Sequence, residues 1–194
     1  MKSIRLKIID AVKSELAKTD RGAHTIDHIM RVHKISMLLT EGQNGNTRVI
    51  EAAALLHDIG RPREEETGIS HSILSGDMSR KVLKDIGYRD DEIEQVVAAI
   101  RTHRFSEGIE PTTREGQILS DADKLDAIGA IGIYRAIAQA AASGRGIQGF
   151  LKHADEKLLK LRDLMFTEKA KKMATTRHEI LESFVNLLRE EMYL

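Results

Sequence analysis

The sequence predicts an all-α fold, and three observations support this prediction. Apolar residues recur three and four positions apart along nearly the whole chain, which is the spacing of one helix face. Runs with the strict alternation of a half-buried strand are absent. Only two prolines occur in 194 residues, so few helices are interrupted. We expect a single-domain helical bundle over residues 1–194, with residues 150–194 forming a C-terminal helical pair packed on it.

The first three helices are predicted from their apolar residues. The first two helices carry stripes formed by Ile4, Ile8, Val12 and Leu16, and by Ile29, Val32, Ile35 and Leu39. The second is predicted to begin near Thr25. The third, from Val49 to about Ile59, carries the run AAALL around its circumference, so we expect it to be the buried central helix. Gly60 and Pro62 are predicted to end it.

The remaining helices are predicted at 70–86, 93–103, 116–127 and 131–142. The stretch GRGIQG follows, and it lacks the spacing and terminal lysine of a phosphate-binding loop, so we expect a flexible hairpin or lid there. Residues 150–194 are predicted to form two charged amphipathic helices. The second is expected to start near Thr167 and to present the apolar residues Ile180, Phe184, Leu187 and Leu188.

The composition excludes several classes of function. Lysine plus arginine equals aspartate plus glutamate at 30 each, so no bulk charge attracts nucleic acid or an anionic membrane. The absence of cysteine excludes disulfides, thiolate zinc sites and cysteine nucleophiles. The first sixteen residues interrupt every apolar stretch with charge, which indicates an amphipathic helix and not a signal or membrane segment. We therefore expect a cytoplasmic protein with no membrane partner.

The dipeptide His57-Asp58 is the strongest candidate site because it directly follows AAALL. An imidazole and a carboxylate at the end of a buried helix are costly to bury without a partner, and a divalent cation is a compact partner for both. The ordinary alternative is that Asp58 caps a helix or forms a salt bridge and that His57 is a satisfied core histidine.

Two further segments bring residues that can bind a metal. His28 lies beside Ile29 on the core face of the second helix. In the segment ILSDADKLDAIGAIG, carboxylates at positions 121, 123 and 126 enter an otherwise apolar stretch, and Asp123 and Asp126 share a helix face. The alternative for this segment is a pair of acids at a helix N-terminus, where they complement the helix dipole.

Taken together, these segments resemble the HD-domain superfamily of metal-dependent phosphohydrolases. Its metal motif H…HD…D is matched by His28, His57, Asp58 and Asp123. A small single-domain branch is similar also in its H-x-x-x-H-x-x-R-V opening, matched here by His24, His28, Arg31 and Val32, and in the segments 121–133 and 167–177. The resemblance covers most of the chain, although Asp27 stands in a different register from the HD pair that often opens the motif.

The resemblance implies a helical bundle that holds a divalent ion. We expect His28, His57, Asp58 and Asp123 to bind Mn, Co, Ni, Mg, Fe or Zn through nitrogen and oxygen atoms, with coordination positions left open. Such an ion activates water and neutralises a phosphoryl oxygen, and Asp58 or Asp126 would orient the water. His71 and His103 match the fuller order H…HD…H…H…D of members with two metals, so a second metal, phosphate contact and support of the ligands all stay open.

The predicted substrate is a phosphate ester or phosphoanhydride, in particular a nucleotide. A nucleoside triphosphate pyrophosphohydrolase or a nucleotidase fits this expectation. Arg31, Arg61, Arg104 and Lys124 are candidates for phosphate contacts, and each is equally consistent with a surface cation. His153 and His178 have charged neighbours and are expected to face solvent.

Other functions remain open at this stage. They are a di-iron oxygenase, a non-catalytic module that senses nucleotides and a structural zinc site, the last disfavoured because the chain has no thiolate. A homodimer is also left open.

Overall fold

The computed structural model describes residues 3–17, 25–42 and 44–192. Within these ranges all regular structure is helical, which confirms the predicted fold class. The α-helices are α1 (Ile4–Leu16), α2 (Ile26–Thr40), α3 (Thr47–Leu56), α4 (Arg61–Thr67), α5 (His71–Asp85), α6 (Asp90–Arg101), α7 (Arg114–Asp126), α8 (Gly129–Ala142), α9 (Gly146–Glu156) and α10 (Glu168–Glu191). Two 3-10 segments are Phe105–Glu107 and Leu158–Leu164. Among the described residues, each helix is too short or too polar to cross a bilayer.

The chain divides into two compact units, residues 1–122 and residues 123–194. The first contains α1 to α6 and the larger part of α7, and the second contains the end of α7 and α8 to α10. The prediction of one domain over residues 1–194, with the pair 150–194 packed on it, stays a prediction.

In the first unit, α3 is the central helix, as its apolar run predicts. It packs against α1, α2 and α6, and its side chains from Ala52 to Leu56 are fully buried. The helix begins after Asn46, whose side chain accepts hydrogen bonds from two backbone N–H groups of the first turn. It ends at Leu56, three residues before the predicted end. His57 and Asp58 therefore lie just beyond the last turn.

The short helix α4 is not predicted by the sequence, which indicates only a break at Gly60 and Pro62. Pro62 lies in the first turn of α4, where a proline has no intrahelical hydrogen bond to lose. Gly68 ends the helix in the left-handed conformation, with φ of 70°. The chain reverses direction at Gly68, so that α4 packs against α5, which begins at His71.

The turn after α3 lies directly against α5 at Gly60. The Gly60 N–H donates to Ser75 Oγ at 2.9 Å. A Cβ at Gly60 would come within 2.7 Å of both Leu74 Cβ and the backbone nitrogen of Ser75. Only glycine therefore allows the end of α3 to approach α5 this closely.

In the second unit, α8 packs against α9 and α10, and the 3-10 segment Leu158–Leu164 packs against the latter two. The expected hairpin or lid at GRGIQG is wrong, because Gly146 to Gly149 form the first turn of α9. The turn forms there because α9 buries Phe150, Leu151 and Ala154 on one face.

The buried face of α10 differs from the predicted one. It consists of Ala170, Ala174, His178, Leu181 and Val185. The expected apolar residues Ile180 and Leu187 are instead 46% and 57% exposed, because they lie outside the face that contains Ala170 and Ala174. The expectation that His178 and His153 face solvent is also wrong, since His178 is buried and His153 is half-buried.

We predict that Gly60→Ala destabilises the protein by about 1–3 kcal/mol, because the new methyl group overlaps the α5 backbone. Gly68→Ala is the comparison. The new Cβ would meet no neighbouring atom, but the positive φ at this position is unfavourable for alanine, so the change should destabilise the protein by about 1 kcal/mol. Urea unfolding monitored by circular dichroism measures both. A loss at Gly60 no larger than that at Gly68 would contradict the close approach.

Candidate metal centre

His57 and Asp58 are both buried at the end of α3, with side-chain exposures of 0% and 2%. His57 Nδ1 lies 2.9 Å from the Ala54 carbonyl oxygen. A carbonyl can only accept, so Nδ1 carries the proton and the neutral ring presents the Nε2 lone pair. The end of the central helix therefore places one imidazole lone pair and one carboxylate side by side in the protein interior.

The first donor group consists of His28, His57 and Asp58. The two Nε2 atoms are 3.2 Å apart. Asp58 Oδ2 lies 3.5 Å from His28 Nε2 and 3.8 Å from His57 Nε2. His28 reaches this position from the buried face of α2, as its neighbours on that face predict.

The second donor group uses the other oxygen of the same carboxylate. Asp58 Oδ1 lies 3.3 Å from Nε2 of His71, the first residue of α5. It lies 3.9 Å from Nε2 of His103, which follows the end of α6. Both histidines are buried. Asp58 thus stands between two pairs of imidazoles, one pair facing each carboxylate oxygen.

The spacing and chemistry of these atoms fit divalent metal ions. Donors that share one ion at about 2.1 Å lie roughly 3.0–3.5 Å apart, which is close to the distances in both groups. His71 Nε2 is a buried nitrogen with no hydrogen-bond partner in the described part of the chain, as expected of a ligand atom. His103 Nδ1 lies 2.5 Å from the Ile100 carbonyl oxygen, so its Nε2 also presents a lone pair. The residues present can therefore hold a metal.

Burial favours the neutral form of His71. Its pKa is lowered to about 4, chiefly by burial and further by Arg61 and His103, although Asp58 and Glu64 act in the opposite direction. At neutral pH the ring is therefore uncharged and able to bind a metal.

The carboxylate of Glu64, on α4, lies beside this imidazole. Its Oε2 is 2.9 Å from His71 Nδ1. Burial raises the pKa of Glu64, but His71, Arg104 and Arg61 outweigh burial and hold the pKa below its usual value. The carboxylate is therefore ionised. Sequence reasoning missed Glu64, because three consecutive glutamates after Pro62 resemble a solvated helix surface.

Two predicted phosphate-binding residues lie next to the centre. Arg61 Nε donates to Asp58 Oδ1 at 3.2 Å, and its Nη1 donates to Glu64 Oε2 at 3.3 Å. Arg104 Nη1 donates to Glu64 Oε1 at 2.6 Å. Both arginine side chains are about a third exposed or less, so part of each remains open to solvent. The structure thus brings Arg61, Arg104 and the four histidines into one region of the first unit.

The remaining predicted site residues belong to α2 and to the second unit. Arg31 is half-buried one turn after His28 on α2. In the second unit, Lys124 is buried and its Nζ donates to the Leu164 carbonyl at 3.0 Å. Asp126 is buried and accepts from Arg135 at 2.7 Å.

Asp123 is half-buried in the second unit and stays a predicted ligand. The alternative of acids at a helix N-terminus is wrong, because α7 begins at Arg114 and the carboxylates at 121, 123 and 126 occupy its second half. His24 lies outside the described residues.

Known proteins resemble this chain over most of its length. The family model for the HD domain matches residues 25–128. The uncharacterized protein YpgQ of Bacillus subtilis is 32% identical over 189 residues, which cover 93% of this chain and 90% of YpgQ.

Solved structures give the same result. The crystal structure of Bacillus subtilis YpgQ in complex with ADP is 31% identical, with a TM-score of 0.78 and coverage of 96% of this chain and 97% of YpgQ. The crystal structure of an HD-superfamily hydrolase from Bacillus thuringiensis is 36% identical, with a TM-score of 0.75, and the match covers 97% of this chain and 96% of the hydrolase.

We predict that the His71 ring of the metal-free protein stays neutral until the pH approaches 4, whereas a histidine in the unfolded chain titrates near 6.5. Between these values the unfolded chain binds a proton that the folded chain does not, so this group lowers stability as the pH falls from about 6.5 to 4. An NMR titration of ring nitrogens checks this, and a His71 midpoint at or above 6.5 would contradict it.

Proposed function

Because the chain belongs to the HD-domain family of hydrolases, we propose that it is a metal-dependent phosphohydrolase that acts on a nucleotide. The observation that carries this proposal is the Asp58 carboxylate, buried with one imidazole pair facing each oxygen. The nucleotide is supported by the ADP complex of YpgQ, which is similar to this chain over nearly its whole length. Hydrolysis of a phosphoanhydride or of a phosphate ester is consistent with this site.

We propose that His28, His57 and Asp58, together with Asp123, hold one divalent ion. The ion, when bound, supplies an activated water and neutralises charge on the phosphoryl group. The protein orients the ligands for this ion. The Ala54 carbonyl holds the proton of His57 on Nδ1, and burial keeps competing water away from the donor atoms. Manganese, cobalt, nickel, iron and zinc suit this mixed nitrogen and oxygen set, whereas magnesium, the remaining candidate, prefers oxygen ligands.

A second ion is proposed at His71 and His103. The support is that Asp58 Oδ1 faces these two rings while Oδ2 faces His28 and His57, so that one carboxylate can serve two ions. Two-metal centres of this kind are typical of enzymes that cleave phosphate bonds, because they stabilise both the attacking and the leaving oxygen.

Arg61 and Arg104 are proposed to bind the phosphate chain. Each guanidinium has five N–H donors, and the contacts to Asp58, Glu64 and neighbouring hydroxyls use only some of them. Their partial exposure leaves a phosphate access to the remainder. Arg31 and Lys124 remain weaker proposals, since Lys124 already donates to Leu164 and its ammonium lies 4.4 Å from the Phe166 ring centroid.

Orientation of the attacking water is proposed for Asp58 or Asp126. Asp58 already lies among the donors, with Oδ2 facing His28 and Oδ1 facing His71. Asp126 accepts from Arg135 in the second unit, which occupies part of its capacity to accept hydrogen bonds. Asp58 is therefore the better supported of the two.

The two-pair arrangement around Asp58 favours one second candidate, a di-iron oxygenase. A carboxylate shared by two histidine pairs suits two irons as well as two other divalent ions. Iron content and oxygen uptake of the purified protein separate the two functions.

The activity test uses metal-stripped protein reloaded with each of the six metals and assayed against nucleoside mono-, di- and triphosphates and alarmones. We predict that Asp58→Ala and Asp123→Ala each lower kcat/KM by more than about 100-fold, because each removes a ligand. The control is Asp77→Ala, whose exposed carboxylate pairs with Arg101 away from the donors and whose loss should leave activity unchanged. Hydrolysis that survives both ligand substitutions would contradict the proposed function.

Metal counting tests the second ion separately. We predict about two Mn²⁺ per chain in the wild type and about one in His71→Ala, since that change removes a donor of the second group only. His33→Ala is the matched control, because His33 is also buried but pairs with Glu51 at 3.3 Å. Equilibrium dialysis with elemental analysis gives the count, and an equal count in wild type and His71→Ala would refute a second ion at this position.

A further inference from the structure

Three histidines of the centre, His57, His71 and His103, differ in what accepts the proton on Nδ1. For His57 and His103 the acceptor is the backbone carbonyl three residues earlier, Ala54 and Ile100. Both residues lie just past the end of a helix, where the last carbonyls have no helical partner. The rings of His57 and His103 are therefore each oriented by a carbonyl of the preceding helical turn.

His71 cannot use this arrangement, because it is the first residue of α5. The residue three positions earlier is Gly68, which ends α4 in the left-handed conformation. At the start of a helix the unsatisfied backbone groups are N–H donors and not carbonyl acceptors. The acceptor for Nδ1 must therefore come from another part of the chain.

Glu64 supplies that acceptor and contacts His71 twice. Its Oε2 lies 2.9 Å from His71 Nδ1, and its Oε1 accepts from the His71 backbone N–H at 3.2 Å. One carboxylate thus sets the proton position of the ring and also satisfies a first-turn N–H of α5. With Nδ1 protonated, the lone pair on Nε2 points to Asp58 Oδ1.

The surrounding residues hold Glu64 in this place. The reversal at Gly68 brings α4 back against α5, so that Glu64 lies beside a residue seven positions later. Arg104 and Arg61 donate to its two oxygens, at 2.6 Å and 3.3 Å. Because Arg104 directly follows His103, the carboxylate is tied to the segment that carries the other histidine of the second donor group.

We propose that Glu64 is the positioning residue of this centre: it fixes the tautomer and orientation of His71 so that Nε2 can bind the second metal ion. The assignment rests on the two-ion form of the proposed function. A carboxylate that accepts from a ligating histidine also makes the ring a stronger donor than a carbonyl does. Glu64 would therefore strengthen metal binding at His71 and His103 without touching the metal or substrate.

A purely structural role is the competing explanation, since Glu64 also caps the start of α5. Glu107 allows the two roles to be separated. Its carboxylate accepts from the hydroxyls of Ser70 and Ser72 and so holds the same end of α5. Within the described residues its other hydrogen bond comes from Arg104, and none comes from the His71 ring. Loss of Glu107 should loosen the helix start without changing the tautomer of His71.

The experiment compares Glu64→Gln and Glu64→Ala with two controls, Glu107→Gln and the exposed Glu66→Gln on the same short helix. The first readout is the tautomer of the His71 ring in metal-free protein, from long-range proton–nitrogen NMR spectra. The second is Mn²⁺ affinity by calorimetry. We expect Glu64→Ala to lose the Nδ1-protonated form and to weaken the second Mn²⁺ by about 10- to 100-fold, with a smaller loss for Glu64→Gln.

Both controls should retain the wild-type tautomer and the wild-type affinity for the second Mn²⁺. An unchanged tautomer in Glu64→Ala, or an equal loss of Mn²⁺ affinity in Glu107→Gln, would overturn the assignment. Neither readout requires turnover. A wild type that binds Mn²⁺ but hydrolyses no nucleotide would therefore refute the proposed function while leaving the role of Glu64 supported.

Discussion

The Asp58 carboxylate is the group on which the rest of this structure depends. A carboxylate in the protein interior is costly without charged or hydrogen-bonding partners, and the groups around Asp58 include the guanidinium of Arg61 and four imidazoles. With the proton on Nδ1, neutral imidazoles of His57, His71 and His103 present lone pairs to the carboxylate, so they repel it unless a cation lies between them. The arrangement is thus unfavourable for the bare side chains and favourable for a site that holds metal.

The fold of the first unit serves this carboxylate by bringing four chain segments to the end of α3. The small residues of α3 allow α1, α2 and α6 to pack around it, which brings His28 and His103 near its last turn. Gly60 permits the close approach of α5 and with it His71. The short α4 then returns Glu64 to the same place. Backbone packing sets where the imidazoles lie, and hydrogen bonds to Nδ1 set which nitrogen faces the carboxylate.

Helical periodicity was enough to predict the fold class and the buried central helix, because AAALL has no polar face. The order of His28, His57 and Asp58 in the family motif likewise predicted which residues meet. Glu64 could not be found in this way, since its role depends on a reversal at Gly68 that brings together residues seven positions apart. The buried face of α10 was also missed, because hydropathy ranks Ile180 and Leu187 above the alanines that actually pack.

A metal centre at Asp58 is tested most directly by anomalous diffraction from a crystal of the protein soaked in Mn²⁺, recorded on both sides of the manganese absorption edge. We predict a manganese peak at about 2.1 Å from Nε2 of His28, Nε2 of His57 and Oδ2 of Asp58. A crystal in which these atoms show no such peak, and in which the imidazoles hydrogen-bond to water or to Asp58 instead, would contradict it.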